Sequence, residues 1–89
     1  MEQPQREVYE FPTVIPLKVI GRNEDNFEEL VLELFKVHVD EADIQDVYAR
    51  LSRGDTYLSM TVTFVAQSRE HLDRVYAELS SSKRVMMVM

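Results

Sequence analysis

No cysteine occurs among the 89 residues, which excludes disulfides, thiolate zinc sites and a cysteine nucleophile. Nowhere does the chain approach the ~18 consecutive apolar residues that a membrane span needs. The opening Met1-Glu2-Gln3-Pro4-Gln5-Arg6-Glu7 also lacks an apolar run, so neither signal peptide nor anchor is expected and a cytoplasmic protein is. There is no internal repeat, and low complexity is confined to Ser80-Ser81-Ser82. Basic residues are scarce: 10 Lys and Arg stand against 16 Asp and Glu, for a net charge of −6. The imbalance is local, since residues 1–46 hold 12 acids and 4 bases and residues 47–89 hold 4 acids and 6 bases. Affinity for a phosphate backbone needs clustered bases. Arg50, Arg53, Arg69, Arg74, Lys83 and Arg84 are instead scattered over several elements, and nucleic acid is not an expected partner.

What is present fits a globular chain, with 45% apolar and 29% charged residues. The length allows one small core. A domain of this size buries only roughly 60–65% of its unfolded surface, so modest stability is expected.

Residues 1–10 read as a flexible arm and 11–89 as a single domain. Ile15, Leu17 and Val19 share one parity and predict a strand ending at Gly21. Pro16 lacks an N–H, so pairing on both sides should begin after it. Asn23 or Asp25 can cap a helix, and Asp25 to Glu28 has capping-box spacing. Phe27, Leu30, Val31, Leu34 and Phe35 give that helix an apolar face as far as about His38. Val47, Ala49 and Leu51 alternate with Asp46, Tyr48 and Arg50 in a second strand, and Arg53-Gly54-Asp55 reads as a tight hairpin. Leu58, Met60, Val62 and Phe64 alternate with Ser59, Thr61 and Thr63 in a third. Ser68 caps a second helix with Leu72, Val75, Tyr76 and Leu79 on its inner stripe, and Val85–Met89 forms a terminal strand. Strand, helix, strand, strand, helix, strand predicts an α+β fold, the ferredoxin-like βαββαβ sandwich. Its four-stranded antiparallel sheet carries two helices on one face, with the first and third strands central.

Glu10-Phe11-Pro12-Thr13, Lys18-Val19-Ile20-Gly21, Tyr76-Ala77-Glu78-Leu79 and Val85-Met86-Met87-Val88-Met89 resemble the YbeD family of small, mostly uncharacterised bacterial proteins. The resemblance spans residues 10–89 and rests on fold-forming positions. It implies a ferredoxin-like fold similar to ACT domains, which sense small molecules in metabolic enzymes. Because genes of the family lie beside lipoate-synthesis genes in some genomes, it also implies an association with lipoate metabolism. In ACT domains an acidic residue and a Pro-Gly pair follow the first strand. Here Gly21-Arg22-Asn23-Glu24-Asp25-Asn26-Phe27 keeps the glycine and lacks the pair.

Catalytic and metal signals are weak. His38, Asp40, Glu41, Asp43 and Asp46 lack calcium-loop spacing and a histidine at i+4, and read as a solvated helix end. His71, beside Glu70, would need a nucleophile and an orienting partner to act as a base. Ser68 and Ser80–Ser82 already have capping and loop roles, so no enzyme, cofactor or metal site is expected. RNA-recognition sheets carry exposed aromatics on their central strands, whereas Lys18, Ile20, Ser59, Thr61 and Thr63 stand there. Arg53-Gly54-Asp55, an adhesion tripeptide by spelling, reads as turn chemistry.

Two features point to binding. Glu24, Asp25, Glu28, Glu29 and Glu33 crowd the first helix. Acids favour a helix start, but Glu24/Glu28 and Glu29/Glu33 are like-charge pairs four apart, with only Lys36 near to relieve them. This acidic helix reads either as a plain solvated face or as a secondary contact for a basic partner. The open side of the sheet would display Lys18, Ile20, Tyr48, Tyr57 and Thr61, joined by Met86 and Val88 from the last strand. That apolar content suits an interface. The expected function is therefore a non-catalytic regulatory or protein-interaction module, binding a partner or its own copy through that face. The alternative is an ACT-like sensor holding a small-molecule ligand near Gly21, Arg22, Asn23 and Asn26.

Overall fold

The structure, a computed structural model, describes residues 9–89; most of the expected arm (residues 1–10) lies outside them. Strand β1 (Thr13–Arg22) leads to helix α1 (Phe27–Lys36), strand β2 (Ile44–Leu51), strand β3 (Tyr57–Ala66), helix α2 (Arg69–Ser80) and strand β4 (Val85–Val88). Single 3-10 turns at Glu41–Asp43 and Arg53–Asp55 flank β2. The strands lie in the order β2-β3-β1-β4, antiparallel throughout. Two βαβ units interleave in this order, which defines the ferredoxin-like class.

Parity builds the core. Ile15, Leu17, Val19 and Gly21 of β1 and Leu58, Met60, Val62, Phe64 and Ala66 of β3 are buried beneath the helices. Phe27, Val31 and Phe35 of α1 and Leu72, Val75 and Leu79 of α2 close the same cluster from above. Phe35 and Phe64 meet edge-on, with centroids 5.5 Å apart. The opposite parity of β1 and β3 faces the uncovered side.

Pro16 sits opposite Thr63 in the β1–β3 pair. Lys18 N–H donates to the Met89 carbonyl (2.8 Å) and Lys18 accepts from Met89 N–H (2.9 Å), so even-numbered residues of β1 turn their amides toward β4. The missing amide of Pro16 therefore points to the flank that β4 does not reach, and pairing on both sides starts beyond it.

Several local expectations are corrected. The N-cap of α1 is Asn26, not Asn23 or Asp25. Asp25 (φ 49°) and Asn26 (φ 56°) are both left-handed, a conformation that Asn and Asp tolerate best among residues with a β-carbon, and no capping-box bond forms at the cap. The helix ends at Lys36, followed by a tightened turn in which His38 N–H donates to the Phe35 carbonyl (3.0 Å). The Arg53-Gly54-Asp55 turn is longer than a two-residue hairpin: Ser52 N–H donates to the Tyr57 carbonyl (2.9 Å), with Gly54 and Asp55 at positive φ between them. Ser68 does cap α2, its Oγ accepting from His71 N–H at 3.0 Å.

Candidate functional site

The uncovered sheet face is built by cross-strand rows. Tyr48, Thr61 and Lys18 lie side by side across β2, β3 and β1, and Met89 continues the row through its backbone bonds to Lys18. Arg50, Ser59, Ile20 and Met87 form the next row, and Tyr57 faces Arg22 beyond it. The expected residues Lys18, Ile20, Tyr48, Tyr57 and Thr61 are thus brought onto one surface. The last strand contributes differently from expectation. A bulge opposite Ile20/Gly21 shifts its phase, so Val88 pairs with Val19 and packs on the core, while Met87 and Met89 take the open side. Met86 stands in the bulge and is exposed.

The face is greasy and basic together. Tyr48 (58% exposed), Met87 (50%) and Met89 (55%) stand among Lys18, Arg22 and Arg50, with Asp46 the acid in β2's contribution. Lys18, Ile20, Arg50, Ser52, Tyr57 and Ser59 line a shallow depression of about 280 Å³.

The alternative site, after β1, is a tightly laced turn. A β-carbon on Gly21 would lie 2.4 Å from the Phe27 ring and 2.6 Å from the Arg84 carbonyl. The space the glycine leaves is therefore filled by this chain's own phenylalanine. Arg22 binds Glu24 (2.9 Å) and lies over the Tyr57 ring, and the Glu24 hydrogen bond raises the guanidinium pKa further. Asn23 reaches across to the β2–β3 loop, donating from its backbone to Thr56 (2.9 Å) and from its side chain to Asp55 (3.1 Å). Arg84 donates to the carbonyls of Glu24 and Asp25 and covers the Phe27 ring. Asn26 is left with no capping bond, beside a depression of about 540 Å³ lined by residues 23–29, Leu51 and Leu58.

Glu24, Asp25, Glu28, Glu29 and Glu33 are all exposed. Their relief differs from expectation: Arg22 pairs with Glu24, Arg84 meets only the backbone carbonyls of Glu24 and Asp25, and Lys36 turns to Glu41 at 3.9 Å.

The two histidines form a structural weld that spacing did not reveal. His71 is buried; its Nδ1 accepts from Gln67 N–H (2.9 Å) and its Nε2–H donates to the His38 carbonyl (2.7 Å). His38 Nε2–H in turn donates to Glu78 (3.0 Å). His38 thereby leaves the acidic cluster behind it, and no group of three or more metal-ligating side chains assembles among the described residues. Nor is any described helix long and apolar enough to cross a membrane.

The four-stranded sheet with its two helices places the chain with ACT-like ferredoxin folds. An ACT domain from a GTP pyrophosphokinase of Chlorobium tepidum superposes with a TM-score of 0.68 at 10% identity, covering 85% of this chain and 94% of that one. Protein HP0495 from H. pylori gives 0.76 at 13% identity, covering 97% and 90%. Both likenesses concern the fold. The chain belongs to the family described as Protein of unknown function (DUF493), which matches residues 6–89. A UPF0250 protein of Chromobacterium violaceum is 36% identical over 89 residues, all of both chains. One from Hahella chejuensis is 39% identical over 80 residues, 90% of this chain and 88% of its own. The family resemblance of the sequence and its ACT-like fold are thus both found.

Proposed function

We propose that this protein is a non-catalytic interaction module whose uncovered sheet face docks a protein partner with an acidic rim. The observation that carries the reading is the joint presence of Tyr48, Met87 and Met89 with Lys18 and Arg50 on one surface. Apolar and aromatic anchors supply burial, while the bases set orientation and encounter rate. The absence of catalysis is supported by the histidines, whose rings are both engaged within the fold. The acidic first half of α1 would be a secondary contact, and a regulatory role in the cytoplasm follows from the same reading.

Affinity capture from the native cell tests it. Wild-type protein should retain partners that Ile20→Asp and Tyr57→Ala lose, while folding stays intact by circular dichroism. Partners held equally by all three would overturn the reading. Release by single-stranded RNA would do so too.

A second reading is favoured by the 540 Å³ depression beside Asn26, an ACT-like small-molecule site. Its lining of Glu24, Asp25, Glu28 and Glu29 fits a ligand bearing an ammonium group. Amino acids are the first panel to try, and lipoate precursors the second, given the expected association with lipoate metabolism. Saturation at ~100 times the dissociation constant would add about 2.7 kcal/mol of stability; a melting temperature unmoved across both panels would remove this reading.

A further inference from the structure

Strand β2 is an edge whose two sides are both unfinished. Its helix-side residues Val47, Ala49 and Leu51 pair with the buried Val62, Met60 and Leu58 of β3, yet Val47 is 41% and Leu51 45% exposed. The helices do not cover this margin. The backbone is unfinished as well. Ser52 directs its amide to Tyr57 of β3, so by ladder alternation Arg50, Tyr48 and Asp46 point theirs inward. Val47, Ala49 and Leu51 then present N–H and C=O groups outward, a template for another strand.

We infer that this edge pairs with the same edge of a second copy, antiparallel about a two-fold axis at Tyr48. Three centres near the middle of the strand satisfy the hydrogen-bond phase, and side-chain charge selects among them. Centred on Val47, Asp46 would face Tyr48 and Arg50 would face Ile44. Centred on Ala49, Arg50 would face Tyr48 and Asp46 would face Ser52. Centred on Tyr48, Asp46 of each copy faces Arg50 of the other, twice by symmetry. The hydrogen-bonded pairs are then Val47 with Ala49, and Tyr48 meets its own mate in a closely spaced non-hydrogen-bonded pair. A two-fold interface must be self-complementary, and one acid and one base equidistant from Tyr48 give that property. Like charges in those places would instead have guarded the edge. The dimer joins two four-stranded sheets into one and sets two copies of the basic, apolar face side by side. An interface of one strand pair and a narrow apolar margin lies at the small end of specific contacts, so a weak, concentration-dependent dimer is expected.

Two measurements on the purified full chain test this independently of partner docking. In analytical ultracentrifugation up to about 1 mM, a reversible dimer should appear. Asp46→Arg and Arg50→Asp should each weaken it by roughly tenfold, and the combined swap should restore it, while Ile20→Asp, on the docking face, should leave it intact. Because the chain has no cysteine, Tyr48→Cys provides a second readout. Mild oxidation should yield a covalent dimer through the facing pair, and Tyr57→Cys, also exposed, should not. A strict monomer at 1 mM, a dimer indifferent to the charge reversals, or equal cross-linking at both positions would overturn the inference.

Discussion

The buried imidazole of His71 donates from Nε2 to the backbone carbonyl of His38 at 2.7 Å, while the ring of His38 binds Glu78. Two histidines 33 residues apart thus perform unequal tasks. The inner ring satisfies the backbone of the turn after α1 and the approach to α2, since it also accepts from Gln67 N–H. The outer ring adds a partly exposed hydrogen bond to Glu78. His71→Ala leaves the Gln67 amide and the His38 carbonyl without their partner, and should cost about 1–3 kcal/mol in urea unfolding. His38→Ala should cost under about 1 kcal/mol. Equal losses from the two would contradict this assignment.

Gly21 tolerates no side chain because Phe27 already occupies the room. Gly21→Ala should destabilise by about 1–3 kcal/mol through overpacking. Both the phenyl ring and the Arg84 carbonyl press on that position, so Phe27→Leu should offset part of the loss. In a double-mutant cycle, the combined variant should lose less than the sum of the singles. Strict additivity would mean that the backbone carbonyl alone sets the limit.

The helix starts should respond in opposite ways. Ser68 makes a cap bond to His71 N–H, and Ser68→Ala should cost about 1 kcal/mol. Asn26 makes none and holds a φ of 56°, so Asn26→Gly should stay within about 0.5 kcal/mol of wild type. Thermal melts of both variants check the contrast.

Phe35 and Phe64 provide the clearest test of packing between layers. Their edge-to-face contact should give a coupling of about 0.5–1.5 kcal/mol in a cycle built from Phe35→Leu and Phe64→Leu. No coupling would place the contribution of each ring in burial alone.

These relationships explain which parts of the molecule could be read from its residues. β1 and β3 are central and one-sided, so Ile15 to Val19 and Leu58 to Phe64 announce their burial by alternation. Ser68 was legible because its bond is local. In β4 every residue from Val85 to Met89 is apolar, so nothing in the pattern fixes parity, and the bulge beside Gly21 moved Val88 inward and Met87 outward. β2 alternates just as cleanly, but as an edge it exposes both sides, and its pattern carried no information about covering. The left-handed Asp25 and Asn26, and the filling of Gly21's space by Phe27, lie where Arg84 arrives from the far end of the chain to contact the Glu24 and Asp25 carbonyls and the Phe27 ring. The placement of Lys18, Ile20, Tyr48, Tyr57 and Thr61 on the open face followed from parity; the weld between the histidines needed the third dimension.

Pro16 bears on how far any assembly of this protein can extend. The flank opposite β2 steps from a strand of only four residues back to a ring that offers no donor. A newcomer zipping along that margin would lose its ladder within a few residues. Strand addition is thus disfavoured on that flank, and the edge pairing proposed for β2 would give closed pairs and not filaments.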